Sequence, residues 1–287
     1  MNIDSRLDLP FPFLDSVDKQ AFRQTKCNGN LKTFEILTDR RRFPPFEMRV
    51  TACTGAVCDW ELYDTSDNLI LDLDAVYDIC DFFDYDIDGD ELIIQYDGLL
   101  NFDVQLPLGQ YYIKASLGDG GLDPDYDCGT FYSEIVTICP CSAMWKDGVV
   151  TNYCQDTIQL EYVNSCDIGD IYYSGTWTGA RVIFQPKIDL TKPDHEIIKD
   201  AIPRDGHLLV QKVTTKKKYK FTFYAPEFMA DAMNLLPSHD TIYITNKFGD
   251  QATVKEVNVN ITPSSHCYFK IDVELYIDPE NSTNCCA

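Results

Sequence analysis

The strongest constraint on the fold is a strict alternation of residue types between positions 269 and 277. Phe269, Ile271, Val273, Leu275 and Ile277 alternate there with Lys270, Asp272, Glu274 and Tyr276. A period of two residues is the pattern of a β-strand with one buried face. Segments of similar character, separated by turn-forming residues, predict further strands at 33–37, 47–52, 92–96, 110–115, 158–163, 220–224, 241–245 and 254–261. Many short strands at close spacing predict β-sandwich or β-barrel domains.

The acidic residues divide the chain into two parts. Residues 51–142 contain 20 acids and a single base, Lys114, whereas residues 143–287 contain 19 acids and 14 bases. A strand-like run at 131–138 ends just before Pro140, and 287 residues correspond to about two domains of about 150 residues each. We therefore predict a mainly β protein of two tandem β-sandwich-like domains: an acidic one at 26–138, a linker at 139–145, and a second domain at 146–287 with a short C-terminal tail.

Helices are expected only in the second domain. The segment 226–236 has Pro226 at a position suited to a first helical turn, and Met229, Met233 and Leu236 share one face. A second short helix is predicted at 195–201. In the turn at 106–109, Gly109 supplies the backbone freedom that leads into the strand beginning near residue 110.

The first 25 residues have the character of an extended arm. They are rich in proline and phenylalanine and show neither a twofold nor a 3.6-fold period. Phe11 and Phe13 are therefore predicted to dock on a partner. The segment lacks the apolar run of a secretory signal, so we expect the chain to fold in a cytoplasm.

The net charge of −22 excludes several classes of partner. It opposes general attraction to nucleic acid and to anionic lipid surfaces, so no specific nucleic-acid binding is expected. Membrane insertion is not expected either, because no apolar run reaches the length of a membrane-spanning helix.

A dense basic patch lies in the second half, at Lys216, Lys217, Lys218 and Lys220. One interpretation is that these lysines bind an acidic surface of a neighbouring subunit, which would give a head-to-tail homo-oligomer. The other is a solvated strand end without a partner.

The cysteines and acidic motifs give no metal site. Without an export signal, the twelve cysteines are expected to be reduced, and the pair Cys139 and Cys141 has no second pair to complete a zinc site. Asp84, Asp86, Asp88 and Gly89 match the first half of a calcium loop, but the twelfth position holds a glutamine and 91–96 has the character of a strand. An acidic β-turn is therefore preferred to a calcium site.

Catalytic motifs are also missing from the sequence. The four histidines form no metalloprotease pattern, and neither a nucleophile elbow nor a phosphate-binding glycine loop occurs. His266 beside Cys267 is interpreted as a surface histidine next to a core cysteine, because neighbours on a strand point to opposite faces. We predict no enzyme activity, no catalytic residues and no cofactor.

Several short segments resemble tail proteins of phages and prophages that infect Bacteroidota. They are Leu-Pro-Leu-Gly-Gln-Tyr-Tyr-Ile at 106–113, Phe-Tyr-Ser-Glu-Ile at 131–135, and the segments 160–173, 224–227 and 239–244. In outline the resemblance covers residues 30–277. It implies a virion component built of β-sandwich domains, similar to those of crAss-like phages, and it implies no catalytic residues.

The sequence therefore predicts a structural protein of a phage tail, assembled in the bacterial host cytoplasm. Its expected partners are copies of itself and other tail proteins, with which it would form a ring or an adaptor. The alternative is a module that binds host surface carbohydrates through Trp60, Trp145 or Trp177.

Overall fold

The computed structural model describes residues 3–5, 9, 11–21, 36–38, 40–51, 57–76, 83–88, 91–96, 105–118, 127–138, 158–165, 179–184, 194–204, 207–245, 251–264 and 268–277. These residues are mostly β-strand, as predicted. The strands before residue 139 are β1 (Ile3–Ser5), β2 (Phe13–Leu14), β3 (Ile36–Thr38), β4 (Phe46–Thr51), β5 (Val57–Asp64), β6 (Leu69–Asp72), β7 (Asp84–Asp88), β8 (Glu91–Tyr96), β9 (Gly109–Gly118), β10 (Asp127–Ser133) and β11 (Val136–Ile138).

The strands of the second half are longer. They are β12 (Ile158–Val163), β13 (Gly179–Phe184), β14 (Asp194–Arg204), β15 (His207–Ala225), β16 (Thr241–Thr245), β17 (Gln251–Pro263) and β18 (Phe269–Ile277). The α-helices of the described residues are α1 (Leu73–Val76) and α2 (Glu227–Leu235).

The predicted strands agree with those observed. Strands β12, β16 and β18 have the predicted bounds, and the other predicted segments overlap β3, β4, β8, β9, β15 and β17. The alternation in β18 has the expected cause, since Ile271, Val273 and Leu275 are buried on its core face. The strand-like run 131–138 is two strands, β10 and β11, separated at Glu134 and Ile135.

One predicted helix is confirmed and the other is wrong. Helix α2 follows Pro226, which is its N-cap residue, and buries Met229 and Met233 as expected. Residues 195–201 are not helical, because they belong to β14 and pair in antiparallel register with β15.

A sandwich surrounds the aromatic core of the first half. The small sheet has the order β1-β4-β8-β7 and packs on the part of the large sheet formed by β5 and β9. Phe46 of the small sheet lies 6.0 Å from Trp60 of the large sheet between ring centroids, and Phe83 lies 4.7 Å from Trp60. These buried rings form the contact between the two layers.

The large sheet connects the two halves of the sequence. Its order is β14-β15-β18-β17-β16-β12-β13-β3-β11-β9-β10-β2, with β5 paired to β9 and β6 paired to β5. Strand β3 pairs in parallel with β11 and antiparallel with β13, so three residues link strands from both halves. The division into two domains stays a prediction, and its linker at 139–145 lies outside the described residues.

Gly109 has the backbone freedom that the sequence predicts. Its φ is +143°, and a Cβ atom at this position would lie 2.8 Å from the hydroxyl oxygen of Tyr111. That hydroxyl donates a hydrogen bond to the Leu108 carbonyl at 2.6 Å. Only glycine fits this turn without strain.

One cysteine contradicts the expectation of reduced thiols. Cys128, at 2% exposure in β10, is disulfide-bonded. A disulfide requires two cysteines at bonding distance and an oxidant. Cys139 and Cys141 lie outside the described residues.

Candidate assembly surface

A two-stranded ribbon extends beyond the large sheet. Strand β15 pairs with β18 only over residues 217–225, whereas it pairs with β14 over residues 207–218. We call β14 together with residues 207–216 the ribbon. At about 3.3 Å per residue, its strands extend about 35 Å. Within the described part of the chain, β14 pairs with no strand other than β15.

The ribbon is continuous with the core of the protein through strand β15. Strand β15 carries the buried Phe221 and Phe223 where it pairs with β18, and it continues without interruption into the ribbon. Its register with β14 places Arg204 opposite His207, which leaves two residues for the connection. The sequence there is Asp205-Gly206, a dipeptide typical of two-residue hairpin loops. That dipeptide is the sequence signal that could have identified the hairpin.

The four side chains of the outer strand whose burial is described are all exposed to solvent. Ile197 is 59% exposed, the largest value among the exposed large apolar residues of the described chain. Asp194, His195 and Pro203 are exposed as well. A register shift between Asp200 and Ala201 marks a β-bulge near the middle of β14.

The predicted lysine patch lies where the ribbon joins the sheet, and three of its lysines form ion pairs with two acids of the same chain. Lys220 Nζ lies 2.8 Å from Glu274 on β18, which also pairs with Lys218. Lys216 Nζ lies 3.6 Å from Glu256 on β17. These acids lie on other strands of the same sheet. The structure therefore shows the lysines paired across strands with acids of their own subunit, an arrangement that neither interpretation included.

The electrostatics of this patch follow from the same contacts. Hydrogen bonds from Lys218 and Lys220 lower the pKa of Glu274, and the bond to Glu274 raises the pKa of Lys218. The ammonium groups of Lys216 and Lys218 also lie 5.3 Å and 5.0 Å from the centroid of the Tyr276 ring. Lys217 differs from these lysines, since its register partners are His195 and Ile277.

The arm residues Phe11 and Phe13 are buried in the core of their own chain. The Phe13 ring lies 4.9 Å from Phe46 and 5.9 Å from Trp60 between centroids. The arm is also held by its backbone, because Glu134 N–H donates to the Pro12 carbonyl at 3.0 Å. The surface on which these aromatic residues dock is therefore part of the same chain.

The opposite end of the large sheet is a second exposed edge. Strand β6 pairs only with β5 in the described residues. Leu69 is 51% exposed and Ile70 is 41% exposed. The surrounding segment 57–76 contains six acids and no base. The sequence does not predict this edge, because the few apolar residues of β6 do not distinguish an edge strand from any other short strand.

The calcium-loop interpretation is excluded by the backbone. Asp84, Asp86 and Asp88 lie on strand β7, which pairs with β8 from Asp84 opposite Gln95 to Asp88 opposite Glu91. A calcium loop would require these residues to curl around one ion. No group of three metal-ligating side chains occurs among the residues whose placement is described.

The remaining predicted sites are only partly described. Trp60 is fully buried in the aromatic core, whereas Trp145, Trp177, His266 and Cys267 lie outside the described residues. None of the helices described is both long enough and apolar enough to cross a membrane.

Comparisons with protein-family models, curated proteins and solved structures give no significant match.

Proposed function

We propose that this chain is a non-enzymatic structural protein of a phage tail, which assembles with copies of itself and with other tail proteins as a ring or adaptor. The observation that carries the proposal is the ribbon. It extends about 35 Å by the usual rise per residue, and no third strand of the described chain pairs with it.

A two-stranded ribbon of this kind is expected to pack against a partner surface. A two-stranded hairpin is marginally stable in water on its own, because it has neither a second layer nor a third strand to cover it. Ile197 is exposed on its outer strand. Contact with a neighbouring subunit would cover this surface and stabilise the ribbon.

The attachment of the ribbon also suits repeated assembly. Strand β15 continues from the buried Phe221 and Phe223 into the ribbon, so the core fixes the direction of the ribbon's base. A contact element held in one direction gives each copy the same geometry relative to its neighbour, which closed rings require.

The tail assignment is supported by the resemblance of segments such as 106–113 and 131–135 to phage tail proteins. Assembly in the host cytoplasm belongs to the same proposal. The net charge of −22 favours protein contacts over nucleic-acid contacts. For the carbohydrate-binding alternative, the burial of Trp60 removes one of its three stacking residues.

Removing the ribbon tests the proposal. Replacing residues 196–216 by Asn-Gly joins His195 to Lys217 through a two-residue hairpin loop and leaves β15 paired with β18 over 217–225. We expect the full chain to form species larger than one chain by light scattering, and the shortened chain to stay monomeric.

The control is Thr222→Ala, which changes an exposed residue of β15 outside both the ribbon and the lysine patch. It should assemble like the wild type. If the shortened chain keeps the unfolding midpoint of the wild type and also assembles like it, the ribbon is not the contact element and the proposal fails.

A further inference from the structure

We propose that β14 of one copy pairs with β6 of the next copy, so that the large sheet continues from subunit to subunit in a head-to-tail arrangement. This inference rests on the proposed function and names the surface that receives the ribbon. The two strands are edges at opposite ends of the same sheet, because β9 pairs with β10 and β11 on one side and with β5, which carries β6, on the other.

Both strands have an edge available for pairing. Within the described residues β14 pairs only with β15, and β6 pairs only with β5. The outer edge of such a strand presents backbone N–H and C=O groups that can form a ladder with another chain. The two edges belong to one molecule, so every copy carries both halves of the contact.

The lengths of the two edges agree. The bulge after Asp200 and the proline at 203, which has no N–H group, leave residues 194–199 as the regular part of β14. Strand β6 has four residues, Leu69–Asp72, with a register shift against β5 at Ile70. The regular part of β14 is long enough to lie along all four of them.

Both edges carry exposed aliphatic side chains. Leu69 and Ile70 are consecutive in β6, at a register shift that leaves Ile70 without a partner residue on β5. Both are more than 40% exposed. Ile197 is exposed near the centre of residues 194–199. Pairing of the strands would bring Ile197 close to these aliphatic side chains.

Charge favours the head-to-tail pairing over a symmetric one. Residues 57–76, which include β5 and β6, contain six acids and no base, so two copies of β6 would bring like charges together. Residues 194–216, which span the ribbon, contain four acids and four bases and so have no net charge. The acidic edge therefore has a better partner in β14 than in a second β6.

Complementation between two variants tests the pairing. Ile197→Lys alters β14 and leaves β6 intact, and Ile70→Lys alters β6 and leaves β14 intact. We expect wild-type mass to rise with concentration by light scattering and each variant alone to be monomeric. An equimolar mixture should form a species of two chains and nothing larger, because only one intact edge of each kind remains.

Leu108→Lys is the matched control, since Leu108 is 46% exposed but lies on neither edge. It should assemble like the wild type. The unfolding midpoints of all three variants should equal that of the wild type. If either edge variant is destabilised, Ile197→Thr or Ile70→Thr replaces it and keeps a β-branched side chain in the strand.

The outcomes separate the two proposals. If Ile197→Lys is monomeric but Ile70→Lys assembles like the wild type, β6 is not the receiving edge, and the proposed function stands. If both variants assemble like the wild type, the contact through β14 fails as well. A wild-type chain that stays monomeric at every concentration, or a Leu108→Lys chain that loses assembly, also overturns the pairing.

Discussion

Asp74 is an acidic residue of the first half whose pKa is raised well above its usual value. It lies in α1, and Trp60 N–H donates a hydrogen bond of 2.5 Å to its carboxylate. Burial is the main cause that raises the pKa of Asp74 to about 6, with further contributions from Asp59, Asp72 and Glu61, while the bond from Trp60 acts in the opposite direction.

This pKa predicts a pH-dependent stability difference. The folded chain binds a proton at Asp74 more tightly than the unfolded chain, whose pKa is near 3.8, so Asp74 contributes a loss of stability as pH rises from 3.8 to about 6. Asp74→Asn carries no charge at this site. Its stability relative to wild type, measured by urea unfolding, should therefore increase over this range and level off above it.

Asp240→Asn is a control with the opposite sign. Hydrogen bonds from Ser165 lower the pKa of Asp240, so the charged carboxylate stabilises the folded chain at neutral pH and this contribution is lost as pH falls. The stability of Asp240→Asn relative to wild type should therefore decrease as pH rises through the acidic range. A pH-independent difference for Asp74→Asn would contradict the assignment.

Residue patterns located the strand interiors but not the partners of the arm. Phe11 and Phe13 belong to a segment without a period, so the sequence indicates only that they need an apolar surface. That surface includes Phe46 and Trp60, which are more than 30 residues away in sequence. Contacts of this kind depend on the three-dimensional fold and leave no local signal.

At the scale of elements, the arm is expected to contribute to stability. The ring of Phe13 is buried among Phe11, Phe46 and Trp60. Truncation of a buried phenylalanine to alanine costs about 3–5 kcal/mol. Phe13→Ala should therefore lower the free energy of unfolding by about that amount in urea titrations.

Asp15→Ala is the matched control in the same arm. Asp15 is exposed and forms an ion pair of 2.6 Å with Lys19. An exposed pair of this kind contributes little, so the change should stay within about 1 kcal/mol. If Phe13→Ala is as mild as Asp15→Ala, the arm is not docked in its own chain in solution.

The ribbon shows why one element was predicted incorrectly. Ile197, Ile198 and Ala201 have a spacing compatible with one face of a helix. Their true partners are on β15, where Ile197 lies opposite Thr215 and Ala201 opposite Val210. Cross-strand pairing with β15 determines the structure here, and short apolar patterns do not distinguish it from a helical turn.

At the scale of the whole molecule, the sequence predicts the fold class but not the connection between the halves. That connection depends on β3, a strand of three residues that joins β11 to β13. The sequence predicts a strand at 33–37 but not its partners, which lie about 100 residues or more away in the chain. The two open edges, β6 and β14, become visible only when the order of strands in the sheet is known.

The central claim is that copies of this chain assemble with one another. It is tested most directly by the molar mass of the purified wild-type chain, measured by light scattering over a range of concentrations at low and at physiological salt. Each chain carries a net charge of −22, so salt should screen the repulsion between copies. We expect the mass to exceed 32.8 kDa, that of one chain, and to be at least as high at physiological salt. A mass of one chain at every concentration and both salts would contradict the account.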